Sequence, residues 1–201
     1  PFMPLSAGIP LVDTAWLTQV AGFLVERAGG LPALQFAFAA GTTACLAILA
    51  GALQSRNVPL LLTFAGLAVF VAVGWQHLQI VRPQLAGMVC FVQLFSMLVS
   101  RRWRRANWVG VAALFAVWAN VHGSFIVGLA TIGCFCIGRA GNLVVRSRDF
   151  TAPVRDKKTL RLSLLLLLAA VAVVVNPYGL QIYRAVASIS SNDNLAALVE
   201  W

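Results

Sequence analysis

The sequence predicts an all-α protein: a polytopic transmembrane bundle of about six crossings, with an N-terminal interfacial helix on the extracytoplasmic side. Three observations carry this. Of 201 residues, 60% are hydrophobic and only 10% charged, against about 25% charged in a typical soluble domain. The apolar residues fall into six runs separated by short polar stretches, too long and too evenly apolar for the alternating strands of a barrel. The basic residues collect in every second connection, the pattern that orients membrane helices.

Taken in order, the stretch from Thr14 to Ala28 reads as a helix with Leu17, Val20, Ala21 and Leu24 on one face, stopped by Gly29 and Gly30. It is expected to lie along the outer interface. The first crossing runs from Leu31 to Leu53 without a charge, long enough at about 1.5 Å per residue to span a hydrocarbon core of about 30 Å. The others are Val58 to Trp75, Leu85 to Val99, Trp108 to Ala119, Phe125 to Ile137 and Leu162 to Val175. Four of the six fall short of the usual minimum of about 17 residues, and flanking Arg and Trp residues extend them. The fourth and fifth also read as two half-helices entering from one side; full crossings are preferred because the charge pattern then closes. The connection from Arg139 to Arg161 is basic and lacks helical periodicity. It reads as a solvated linker, with contact to anionic lipid as the alternative. Residues 1–201 form one transmembrane domain: an outer segment 1–30, the spans within 31–175, and an outer segment 176–201. The start at Pro1 and stop at Trp201 suggest a piece of a longer chain.

Twelve of the fifteen basic residues lie in the connections after the first, third and fifth spans; Arg27, Arg82 and Arg184 lie on the other side. The positive-inside rule makes the first side cytoplasmic and puts both ends outside. The net charge of +9 is therefore a topology signal, and nucleic acid is not expected as a partner. The bilayer is. The four cysteines sit inside apolar runs and read as small packing residues. No metal-ligand cluster, phosphate loop or dinucleotide fingerprint is present.

Isolated polar residues are costly in lipid, so their positions are informative. All gather on the outer side. Asp13 and Trp16 lie in the entry segment; His77, Gln79, Arg82 and Gln84 between the second and third spans; Asn120 and His122 in the turn WANVHGSF. Asn176, Tyr178 and Gln181 follow the last span in NPYGLQIY, with Asp193 and Glu200 near the end. Asp13 and Glu200 are candidate general bases. His122 is either an acid–base group or a hydrogen-bonded turn residue, with Gly123 permitting close approach. Arg82, ahead of the helix-starting Pro83, is placed to grip a phosphate in bidentate fashion or to anchor at headgroup depth. His77, Asn120 and Tyr178 are candidate substrate contacts, with interfacial, cap and helix-breaker roles as the alternatives.

The segment GIPLVDTAWLTQVAGFLVERAGGLPALQF resembles GT-C-type integral membrane glycosyltransferases, the bacterial mannosyltransferase and aminoarabinose-transferase-like group, and the RPQ before the third span, WANVHGSFIVGL, NPYG and the terminal EW resemble an uncharacterised bacterial branch placed near that superfamily. The resemblance implies a transferase in the bacterial inner membrane that moves a sugar from a polyprenyl-phosphate donor to an acceptor at the periplasmic face. A carboxylate would act as base and an arginine would hold the lipid phosphate. Arg82 fits the phosphate role, with His122 and His77 assisting. No bound cofactor is implied, and a divalent metal is left open. The family's key acid belongs upstream of the Pro–Leu stretch, whereas Asp13 lies within it. Two other classes compete: a transporter or flippase-like protein, and a non-catalytic assembly protein.

Overall fold

A chain this apolar must satisfy its backbone hydrogen bonds internally, and helices do so within one segment. The computed structural model describes residues 12–78, 81–100 and 103–190, and among them all regular structure is helical. The order is α1 (Trp16–Gln54), α2 (Leu60–Leu78), α3 (Gln84–Val99), α4 (Ala106–Val121), α5 (Phe125–Ser147), α6 (Ala152–Arg155), α7 (Lys157–Val173) and α8 (Gln181–Ser190). Each apolar run of the sequence coincides with a helix.

The entry helix and the first run are joined in α1, broken at Gly30 with φ 67° and ψ −166°. Only glycine adopts that backbone readily. Pro32 follows in the first turn of the second part, where a missing N–H leaves no bond unmade. Helices α1 and α5 are each long and apolar enough to cross a membrane, while α2, α3 and α4 carry shorter apolar stretches. On α1 and α2 large side chains point outward, among them Phe36 (77% exposed), Leu61 (79%) and Val73 (81%). An apolar surface of this kind calls for an apolar surrounding.

The core lies between α3, α4, α5, α7 and α8, around the buried Phe115, Trp118, Phe125, Ile132 and Leu165. A second cluster, Cys45, Leu85 and Val92, ties α1 to α3. The outer segment after Asn176, which carries no helix in the sequence reading, forms α8 and packs back: Ile182 is buried, Tyr183 donates to the Ala170 carbonyl at 2.7 Å, and its ring meets Phe125 edge-on.

The stretch 139–161 departs from the linker expected of it. Helix α5 continues to Ser147, α6 forms one turn, and α7 begins at Lys157. Asp156 explains the last. Its carboxylate caps α7 through the Thr159 amide (2.8 Å) and hydroxyl (2.9 Å), and receives both Arg139 Nη2 (2.9 Å) and Nε (3.1 Å). Polar caps of this kind leave no trace in hydrophobic periodicity. The Arg139 guanidinium, followed by the Thr159 N–H, holds the Asp156 carboxyl well below the usual carboxylate range. A depressed acid stabilises above its unfolded value of about 3.9, and that contribution is lost as pH falls toward the folded value. Asp156→Ala is therefore expected to lose roughly 1–2 kcal/mol at neutral pH. In unfolding titrations of the detergent-solubilised protein the difference should shrink below about pH 4.

The packing separates two ends. The start of α1, the start of α3, the α4–α5 turn and the turn after α7 meet at one. The end of α5 and the starts of α4 and α7 meet at the other, which is basic.

Candidate functional site

At the first end, two pairs of the polar residues singled out in the sequence are joined by direct bonds, Asp13 to Tyr178 and Trp16 to Asn120. Asp13 Oδ1 accepts from the Ala15 amide (2.9 Å) and from Gln19 Nε2 (3.3 Å), an Asx turn that opens α1. Its own backbone N–H donates to the Tyr178 hydroxyl at 3.2 Å. Three residues on, Trp16 Nε1 donates to Asn120 Oδ1 at 2.8 Å, and Thr18 Oγ1 donates to the Val121 carbonyl at 2.8 Å. Asn120 is buried in the last turn of α4 and donates through Nδ2 to Ala116 O (2.7 Å) and Val175 O (2.8 Å). Its amide hydrogens and one oxygen lone pair are thus all used inside the protein. The NPYG segment behaves as a breaker: Asn176 bonds to Val173 O, Gly179 O and the Tyr178 amide, with Gly179 at φ 54°.

His122 ends α4 in an extended conformation. Its Nδ1 accepts from the Ser124 amide at 3.0 Å, so the neutral ring carries its proton on Nε2. Ser124 begins α5 and its hydroxyl accepts from Trp118 Nε1 at 3.1 Å. As the sequence suggested, Gly123 allows a close approach: a Cβ there would meet Thr14 Oγ1 at 3.2 Å. Gly87 does the same for α3, since a Cβ would collide with Ser124 Oγ and press on the His122 ring.

This close approach frames a cavity of about 300 Å³ lined by Gln84, His122 and Ser124 on its polar part and by Phe70, Met88, Phe91, Trp118 and Val127 elsewhere. Gln84 Oε1 is fully covered and has no hydrogen-bond partner among the described residues. A covered carbonyl oxygen without a donor is costly. A larger groove of about 650 Å³ runs between α1 and α2, lined by Leu46, Leu67, Ala68, Val71, Ala72 and Trp75. Its lining holds no titratable group.

Arg82 is half-buried two residues before Gln84, and Pro83 is the N-cap of α3. His77, expected in a connection, instead falls in the last turn of α2. Asp193 and Glu200 lie outside the described residues. Sequence reasoning left Ser124 and Trp118 out of the site and gave Gln84 no role. Ser124 directly before an apolar run carries a helix-start signal; Gln84 and Trp118 gain their meaning only from packing. Among the described residues no three His, Cys, Asp or Glu side chains come together as a metal site. The chain matches no protein-family model, and no curated protein or solved structure is significantly similar to it.

Proposed function

We propose that the protein is a six-crossing bacterial inner-membrane glycosyltransferase of the GT-C type, with its site at the periplasmic end of the bundle. In this reading α2, α3, α4 and α7 cross together with α1 and α5, the basic end is cytoplasmic, and the exposed apolar faces of α1 and α2 meet lipid. The observation that carries the proposal is the cavity beside His122: apolar and aromatic walls for a prenyl-linked donor, and a polar part made of His122, Gln84 and Ser124.

The roles proposed for the individual residues are these. His122, oriented through Nδ1, presents Nε2 for proton transfer or for a phosphate oxygen. Arg82 is the phosphate clamp as the donor lipid departs. Asp13, whose Oδ1 is engaged in the Asx turn, remains a candidate base through its second oxygen. Asn120 and Tyr178 act at one remove, by holding the entry segment on the α4–α5 turn.

The test is transfer of radiolabelled sugar from a polyprenyl-phosphate donor in membranes carrying the full-length protein. His122→Ala is expected to lower transfer by about a hundredfold or more, with the protein still in the membrane. Arg82→Ala is expected to lower it as well. Wild-type membranes without transfer from any donor, in the presence of divalent metal, would turn the reading toward a transporter or an assembly protein.

A further inference from the structure

At the opposite end of the bundle stands a second polar arrangement that sugar transfer does not use. Arg161, in the second turn of α7, lays its guanidinium over the Trp103 ring, with Cζ 4.8 Å from the ring centroid. Trp103 is itself braced edge-on by Trp108, the centroids 6.1 Å apart. Two donors in this stack, Arg161 Nε and Trp103 Nε1, are fully covered and have no acceptor among the described residues. The ring attracts the cation through its π face, but it leaves both N–H groups without an acceptor.

The surroundings are as one-sided as the stack. The ion pairs among the described residues are Arg139 with Asp156 and Arg155 with Asp149. Both carboxylates of this end are therefore engaged. Arg104 and Arg105 adjoin Trp103, and Lys157 and Lys158 open α7, and none of the four is in an ion pair. A surplus of cations around two unsatisfied donors calls for an anion with several acceptor oxygens. Stacking fixes the plane of the guanidinium, the condition under which Arg makes directed bonds to phosphate oxygens rather than acting as a diffuse charge.

We propose that the Arg161–Trp103 stack is a binding site for a phosphate group, with Arg161 as its directed clamp and the Trp103 N–H, covered in this structure, as a second donor that a local opening of the stack uncovers. Two sources carry that chemistry at this end of the bundle: the phosphodiester of an anionic lipid headgroup, and free phosphate. The lipid source rests on the membrane reading above. The phosphate site itself does not, and neither depends on sugar transfer.

The experiment uses the full-length protein in detergent and measures binding of phosphatidylglycerol, and separately of inorganic phosphate, by native mass spectrometry. Arg161→Lys keeps the charge and loses the fork; Trp103→Phe keeps the ring and loses the donor. Arg161→Lys is expected to weaken the phosphate ligand about tenfold, and Trp103→Phe about threefold. Both variants should unfold near the wild-type temperature, and binding at Lys157→Gln should change less than at Arg161→Lys. Variant-sensitive binding of phosphatidylglycerol but not of inorganic phosphate assigns the lipid source; variant-sensitive binding of inorganic phosphate assigns the free one. Affinities for both probes that are the same in wild type, Arg161→Lys and Trp103→Phe would overturn the site.

Discussion

Trp118→Ala is expected to destabilise the bundle by about 3 kcal/mol, the largest single loss of packing in the protein. Trp118 is wholly buried, its ring tilted against Phe115 with centroids 5.5 Å apart. Gly128 on α5 faces it so closely that a Cβ there would lie 2.5 Å from the indole. The usual cost of removing a buried Trp is about 3–5 kcal/mol. The low end follows from the membrane reading proposed above, in which lipid tails are as apolar as the core and only the packing part of the loss remains. The Ser124 hydroxyl also loses its donor, Trp118 Nε1. Because the indole is one wall of the His122 cavity, the variant should enlarge that cavity and loosen substrate as well. Gly128→Ala attacks the same contact from the other side by overpacking. Combining Trp118→Phe with Gly128→Ala should therefore cost less than the sum of the two, a non-additivity that residues without contact do not show. Unfolding in detergent measures all four; strictly additive losses would mean that the indole and Gly128 do not share a packed contact.

The parts of this structure legible in the sequence are those that periodicity and backbone chemistry encode. The entry helix and its break are one case, since Gly30 takes a backbone with φ 67° that only glycine adopts readily. The NPYG breaker is another, with Asn176 bonding across its own turn. The gathering of Asp13, Trp16, Asn120 and Tyr178 was also legible, because isolated polar residues at the ends of apolar runs have few other places to go. What was not legible depends on partners far apart in the chain. The continuation of α5 and the early start of α7 rest on Arg139 meeting Asp156. The cavity lies where Gly87 lets α3 approach the His122 ring, and the coverage of the Gln84 oxygen appears only once α3 is packed. His77 was misplaced by a simpler cause: α2 runs three residues past Trp75, and helix ends are where pattern reading is least certain.

Asn120→Leu separates a structural from a substrate-binding role for the residue that joins the most segments. Leucine keeps the branched shape of asparagine without its polar atoms but is larger, so the expected loss joins polarity to some overpacking. Trp16 Nε1 loses its acceptor and the Val175 carbonyl its donor, while the Ala116 carbonyl keeps its helical bond. Two newly orphaned polar groups, both only part-buried, predict a loss of roughly 1–3 kcal/mol. The loss should be concentrated in the entry segment. Thr18 to Val121 and Asp13 to Tyr178 are the other bonds that hold it, so hydrogen exchange at residues 13–22 should accelerate before the rest of the bundle responds. Trp16→Phe removes the donor from the other side and keeps the ring. In a double-mutant cycle it should cost little more once Asn120 is already leucine, because the bond both serve is gone. If Asn120 instead contacts substrate, Asn120→Leu would raise KM at an unchanged unfolding temperature, and Trp16→Phe would leave KM alone. Equal and coupled losses of stability from the two variants assign Asn120 to the strut that seats α1 on the α4–α5 turn, which leaves His122 and the cavity beside it as the place where chemistry is to be sought.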